Sequence, residues 1–110
     1  MKIIELVNEF DLSADVAVEK DKEVNQLFDG PFRKILEVRL QNAAVLSRHR
    51  AVEPITVFCL SGNGVFRAGS DLEDSKDMRA GTLITLEGGI EHEVVAGPTL
   101  HIIVTKFKDS

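Results

Sequence analysis

The chain has 110 residues, a formal net charge of −5, 44% apolar residues and 28% charged ones, the make-up of one ordinary globular domain. No apolar run approaches the ~20 residues of a membrane span, and a net negative chain lacks the basic face that a phosphate-backbone binder needs, so neither membrane insertion nor nucleic-acid binding is expected. The lone Cys59 excludes an intrachain disulfide and any multi-cysteine zinc site.

Met1-Lys2-Ile3-Ile4-Glu5 places an acid where a secretory signal needs its apolar stretch, so export by that route is not expected and a cytoplasmic location is. Lys2 to Val7 is apolar enough for a short strand, and residues 1–35 read as an N-terminal segment that packs on the main body or on a partner subunit. Glu19-Lys20-Asp21-Lys22-Glu23 reads as a solvated surface segment, and Asp29-Gly30-Pro31 as a turn. Beyond that turn the period becomes two: Leu36, Val38 and Leu40 alternate with Glu37, Arg39 and Gln41, a half-buried strand. Further short strands are predicted around 44–49, 55–60, 64–68, 82–86, 92–96 and 99–107. They are punctuated by Ser61-Gly62-Asn63-Gly64, Gly69-Ser70-Asp71, Gly81, Gly88-Gly89 and Gly97-Pro98. The acidic run Asp71-Leu72-Glu73-Asp74 reads as a charged hairpin loop without the ligand spacing of a calcium loop. Cys59, in Thr56-Val57-Phe58-Cys59-Leu60, reads as a buried packing thiol, since no motif sets a base beside it.

Many short strands with glycine turns and no helical periodicity predict an all-β protein, an antiparallel barrel or sandwich. Two strands are apolar on both faces: Ile55, Val57 and Cys59 against Phe58 and Leu60, and Leu100, Ile102 and Val104 against Ile103 and Phe107. A small barrel buries only its inner face, so the outer row needs a cover, and a homodimer is expected to supply it.

Two motifs stand within residues 36–107. With Gly62 as the closing glycine of the first, Ala43 takes its leading position, His49 its first histidine, Ala51 its second histidine and Ile55 its glutamate. In the second, Gly81, Gly89 and His92 fall at their expected spacings, with Glu87 for the proline and Ala96 for the asparagine. On these motifs the sequence resembles a small single-domain cupin, and residues 36–110 are expected to form an antiparallel jelly-roll β-barrel. The resemblance implies a barrel mouth in which His49 and His92 face a small-molecule ligand. It also implies a divalent transition metal (zinc, nickel, iron or manganese), which cupins usually hold with three histidines and a glutamate. Only two of those four ligands are retained in this register. A catalytic ion takes about three protein ligands, and the candidate third ligands are Glu53, His101, Gln41 and Glu91, in that order. A second register makes His49 the second histidine and Glu53 the glutamate. Against these roles, Glu53 can equally be a solvated turn carboxylate and His101 a partly exposed strand residue, and Glu91 has the opposite strand parity to His92. Arg48 and Arg50 flank His49 with opposite parity, which makes them surface arginines.

The sequence has no Tyr or Trp, which removes the histidine–tyrosine pair of the sugar-nucleotide epimerases in this superfamily. The reading is a cytoplasmic homodimer with a small-molecule pocket at His49, His92 and Glu53, and a metal at His49 and His92 with Glu53 or His101 as third ligand. Whether it is an enzyme is left open, between a metal-free binding or structural dimer and a metal-dependent dioxygenase- or isomerase-type enzyme.

Overall fold

The structure, a computed structural model, describes residues 3–12 and 20–110. Among them are seven strands and no helix: β1 (Lys22–Asp29), β2 (Arg33–Leu40), β3 (Val45–Arg50), β4 (Ile55–Ala68), β5 (Asp74–Arg79), β6 (Leu83–Leu86) and β7 (Glu91–Phe107). Every pairing is antiparallel, so the all-β expectation holds.

The long strands β4 and β7 pair with each other from Ile55↔Lys106 to Ala68↔His92 and bend together midway. Their bend divides the ladder into two layers. The first half of β4 and the second half of β7 carry β6, β2 and β1; the remaining halves carry β5 and β3. Side chains from both layers meet in one core of Val38, Leu40, Ile55, Val57, Cys59, Phe66, Met78, Val94, Ala96, Leu100 and Ile102. Removing an aliphatic side chain of this kind from water contributes roughly 1.5–3 kcal/mol. Cys59 is fully buried, its thiol donating to the Ser61 carbonyl at 3.4 Å, and burial raises its pKa. It is the packing thiol its sequence neighbours predict.

Several elements depart from the sequence reading. The predicted strands 55–60 and 64–68 are one strand, as are 92–96 and 99–107. Gly97-Pro98, expected as a turn, lies inside β7 and is joined by a cis peptide. The matching bend in β4 is at Gly62, where φ is +84° and a Cβ would stand 2.2 Å from the Thr99 carbonyl oxygen. No larger residue fits that approach of the two strands.

Residues 3–12 form no strand, so the short strand expected over 2–7 is absent from its described part, and Lys2 lies outside the described residues. Isolated apolar content does not make a strand without a ladder partner. The strand of this region is β1, which begins inside the stretch 19–23 expected to be solvated; Glu19 is outside the described residues. The β1–β2 hairpin also carries the sheet across the boundary expected at residue 36. Strand β5 was missed because only Met78 of its six residues is buried, which leaves no period to read. The acidic run is a loop up to Glu73, whose carboxylate accepts from the Asp71 amide at 2.9 Å, and Asp74 opens β5.

Between β2 and β3, Asn42 and Ala43 have φ of +56° and +57°, and the Ala43 amide donates to the Pro98 carbonyl at 2.9 Å. Ala43 is the residue aligned with a motif glycine, and it adopts the left-handed conformation that glycine takes without steric cost. Ala43→Gly is therefore expected to stabilise the fold by roughly 0.5 kcal/mol, the relief of left-handed strain exceeding the added freedom of the unfolded chain. Urea denaturation of the two proteins checks this, and a lower midpoint in the variant would contradict it.

Candidate functional site

The ladder of β3 with β7 places His49 opposite His92. Their ring centroids are 4.2 Å apart with the planes inclined by 61°. His92 is buried, and Phe66 from β4 stacks on its other side at 5.6 Å. His49 is on the exposed side of the pair.

Both imidazoles are oriented by the backbone two residues earlier. His49 Nδ1 lies 2.9 Å from the Ser47 carbonyl and His92 Nδ1 lies 3.0 Å from the Ile90 carbonyl. A carbonyl only accepts, so each Nδ1 carries the proton. In the neutral ring this leaves the lone pair on Nε2. The site therefore offers two adjacent imidazoles of the same tautomer.

They border a cavity of about 160 Å³ between the two layers. Its walls are otherwise almost entirely apolar, from Leu36 and Val38 through Val57 and Phe66 to Ile102 and Val104, and Ala51 and Ile55 are among them. The two positions where the aligned motif would have a histidine and a glutamate thus do face the same cavity as His49 and His92, as a methyl group and a branched aliphatic chain. This geometry favours the register that ends at Gly62 over the one that uses Glu53.

The other candidates lie elsewhere. Glu53 is in the turn between β3 and β4 and does not line the cavity. His101 is on the outer face of β7, where its Nε2 is 2.8 Å from a Glu37 carboxylate oxygen and Phe10 meets its ring edge-on at 5.7 Å. Glu91 accepts a hydrogen bond from Arg48 on the surface, as their parity predicts. Gln41 follows β2 and does not line the cavity, its backbone N–H donating to the Asp21 carbonyl at 3.0 Å. No group of three histidine, cysteine, aspartate or glutamate side chains able to hold a metal occurs among the described residues. Two imidazoles backed by Ala51 and Ile55 do not fit a resident transition metal, which needs about three protein donors.

Lys106 also lines the cavity and was not singled out from the sequence. Its signal was there: Leu100, Ile102 and Val104 define the inward parity of β7, and Lys106 holds the next inward position. Glu37 is a buried charge on the outer face. Burial pushes its pKa up, but hydrogen bonds from His101 and Asn25, with Arg39 alongside, outweigh that and hold it below its ordinary value.

The pKa of His92 lies below the ordinary histidine value. Burial lowers its pKa, the bond to the Ile90 carbonyl opposes the shift, and His49 and Lys106 lower it further. An unfolded histidine takes a proton near pH 6.5, which the folded protein resists until the pH is lower. Stability is therefore expected to fall as pH drops from about 6.5 through the folded pKa of His92, because the unfolded chain binds more protons in that window. His92→Gln should lose less stability than wild type between pH 7.5 and 5.5 in urea titrations. Equal losses would contradict the assignment.

No protein-family model and no curated protein matches the chain by sequence. Solved structures do match. A conserved protein of unknown function from Streptococcus pyogenes aligns with a TM-score of 0.78 at 21% identity, over 97% of this chain and 92% of that one. A cupin superfamily protein from Desulfitobacterium hafniense aligns at 0.77 and 12% identity, over 89% and 87%. An RmlC-like cupin with a double-stranded β-helix fold from Methanocaldococcus jannaschii aligns at 0.74 and 16% identity, over 96% and 93%. The two layers joined through β4 and β7 are thus the double-stranded β-helix, and the chain has the cupin fold.

Proposed function

We propose that this cupin-fold chain binds a compact, mainly apolar small molecule in the cavity, with the His49 and His92 rings as its polar contacts and no resident metal. The observation that carries the reading is the cavity itself, an apolar chamber whose wall is interrupted by two oriented imidazoles. A cavity near 150 Å³ accommodates a molecule the size of benzene, so a ligand of about six to nine non-hydrogen atoms matches it. Zinc or nickel added to two imidazoles alone would bind at micromolar affinity or weaker and leave as the rings protonate. With no third donor beside His49 and His92 among the described residues, the metal-dependent dioxygenase or isomerase reading is not the one proposed. A cytoplasmic location belongs to the same proposal, and the single buried free thiol of Cys59 is compatible with it.

The experiment is a thermal-shift and calorimetric screen with compact apolar molecules, on wild type and on Ala51→Leu, whose larger side chain fills the cavity. Wild type should be stabilised by bound ligand, and Ala51→Leu should lose at least tenfold in affinity. Ligands that stabilise both proteins equally would place binding elsewhere.

We further propose that the chain works as a homodimer through the outer face of β4, β6 and β7. Phe58 and Leu83 are cross-strand partners there and are 38% and 68% exposed, with Ile103 beside Phe58 in the ladder. Sedimentation equilibrium at micromolar concentration should report twice the chain mass, and Phe58→Lys should report a monomer. A monomeric wild type would overturn the proposal.

A further inference from the structure

Inward-facing positions of β7 are apolar from Val94 to Val104, apart from the bend, and the next one is Lys106. In the ladders Lys106 stands opposite Ile55 on one side and Lys34 on the other, so neither cross-strand neighbour supplies a negative charge. The ion pairs among the described residues involve Arg39, Arg48, Arg67, Lys76, His101 and Lys108. Lys106 is in none of them. Among the described residues, no aspartate or glutamate lines the cavity that it borders with His49 and His92. Lys106 is half-buried at this wall, and a cation with no counter-charge among the described lining residues is a site that an anion would complete.

From this we infer that the ligand of the cavity is a small monocarboxylate, with its carboxylate held by Lys106 and its hydrocarbon body among Val57, Phe66 and Ile102. The inference rests on the cavity reading above and adds the charge of the ligand to it. The chain as a whole carries −5, so the positive character of this cavity is a local arrangement and not a consequence of overall charge. A ring or branched chain of five to seven carbons fills the 160 Å³, and a single charged headgroup matches the one cation among the described lining residues. Di- and triacids carry a second charge for which the apolar walls have no partner. Phosphate esters lack the multiple donors they require.

The test compares charged and neutral isosteres, benzoate with benzamide and 3-methylbutanoate with 3-methylbutan-1-ol, by calorimetry at pH 7.5. The variant is Lys106→Met, which keeps the length of the side chain at an inward position and therefore the fold. Each carboxylate is expected to bind wild type at least tenfold more tightly than its neutral partner, the usual effect of one charge-assisted hydrogen bond. Lys106→Met should erase that difference while leaving the neutral molecules bound. Equal affinities within each pair, or a preference for carboxylate that persists in Lys106→Met, would overturn the anion assignment and leave the cavity reading standing. If none of the four binds wild type, both fall together.

Discussion

The pairing of β4 with β7 is the constraint from which the rest of the molecule follows. Two strands of 14 and 17 residues run antiparallel and bend at the same level, where the Gly62 backbone passes against the Thr99 carbonyl. Because each strand contributes to both layers, neither layer can shift its register without the other. That coupling fixes β3 against the first half of β7, and with it His49 opposite His92. It also fixes the second half of β7, which brings Lys106 to the same chamber from the opposite layer. A one-residue slip would turn all three side chains outward.

Electrostatically the inside and the outside of the barrel have been handled differently. On the outer face, buried Glu37 has partners on several sides: His101, Asn25 and Arg39. In the cavity, His49, His92 and Lys106 border a wall that is otherwise apolar. Burial and the neighbouring Lys106 keep His92 neutral at physiological pH, the state in which its Nε2 can accept a hydrogen bond. The replacement of two metal-ligand positions by Ala51 and Ile55 removes donors and adds apolar wall in the same stroke. On the function proposed above, the result is a chamber suited to an organic molecule more than to a metal ion.

How much of this could be read from the sequence depended on where the information was stored. The alternation of Leu36, Val38 and Leu40 and the glycine punctuation carried the all-β fold, because inward residues are apolar whatever the partner strand. The convergence of His49 and His92 was legible through the motif spacing, which the ladder reproduces. Strand β1 was not legible, since an edge strand is held by its pairing with β2 and needs no alternation of its own. Strand β5 shows one buried residue, Met78, and a pattern needs at least two. Gly97-Pro98 reads locally as a turn, and only the long-range pairing with β4 makes it the bend of a continuous strand. The third-ligand candidates failed for a related reason. Residue type nominated Glu53 and His101, but face and position decided: His101 has the outward parity of β7, and Glu53 sits in a turn. The same parity rule, carried one step further along β7, points to Lys106.

The central claim is that the paired imidazoles serve an organic ligand and hold no resident ion. Elemental analysis of protein purified without an affinity tag tests it most directly. The account predicts much less than one transition-metal ion per chain, unchanged in His49→Ala and His92→Ala. One tightly held ion per chain, lost in both variants, would contradict it.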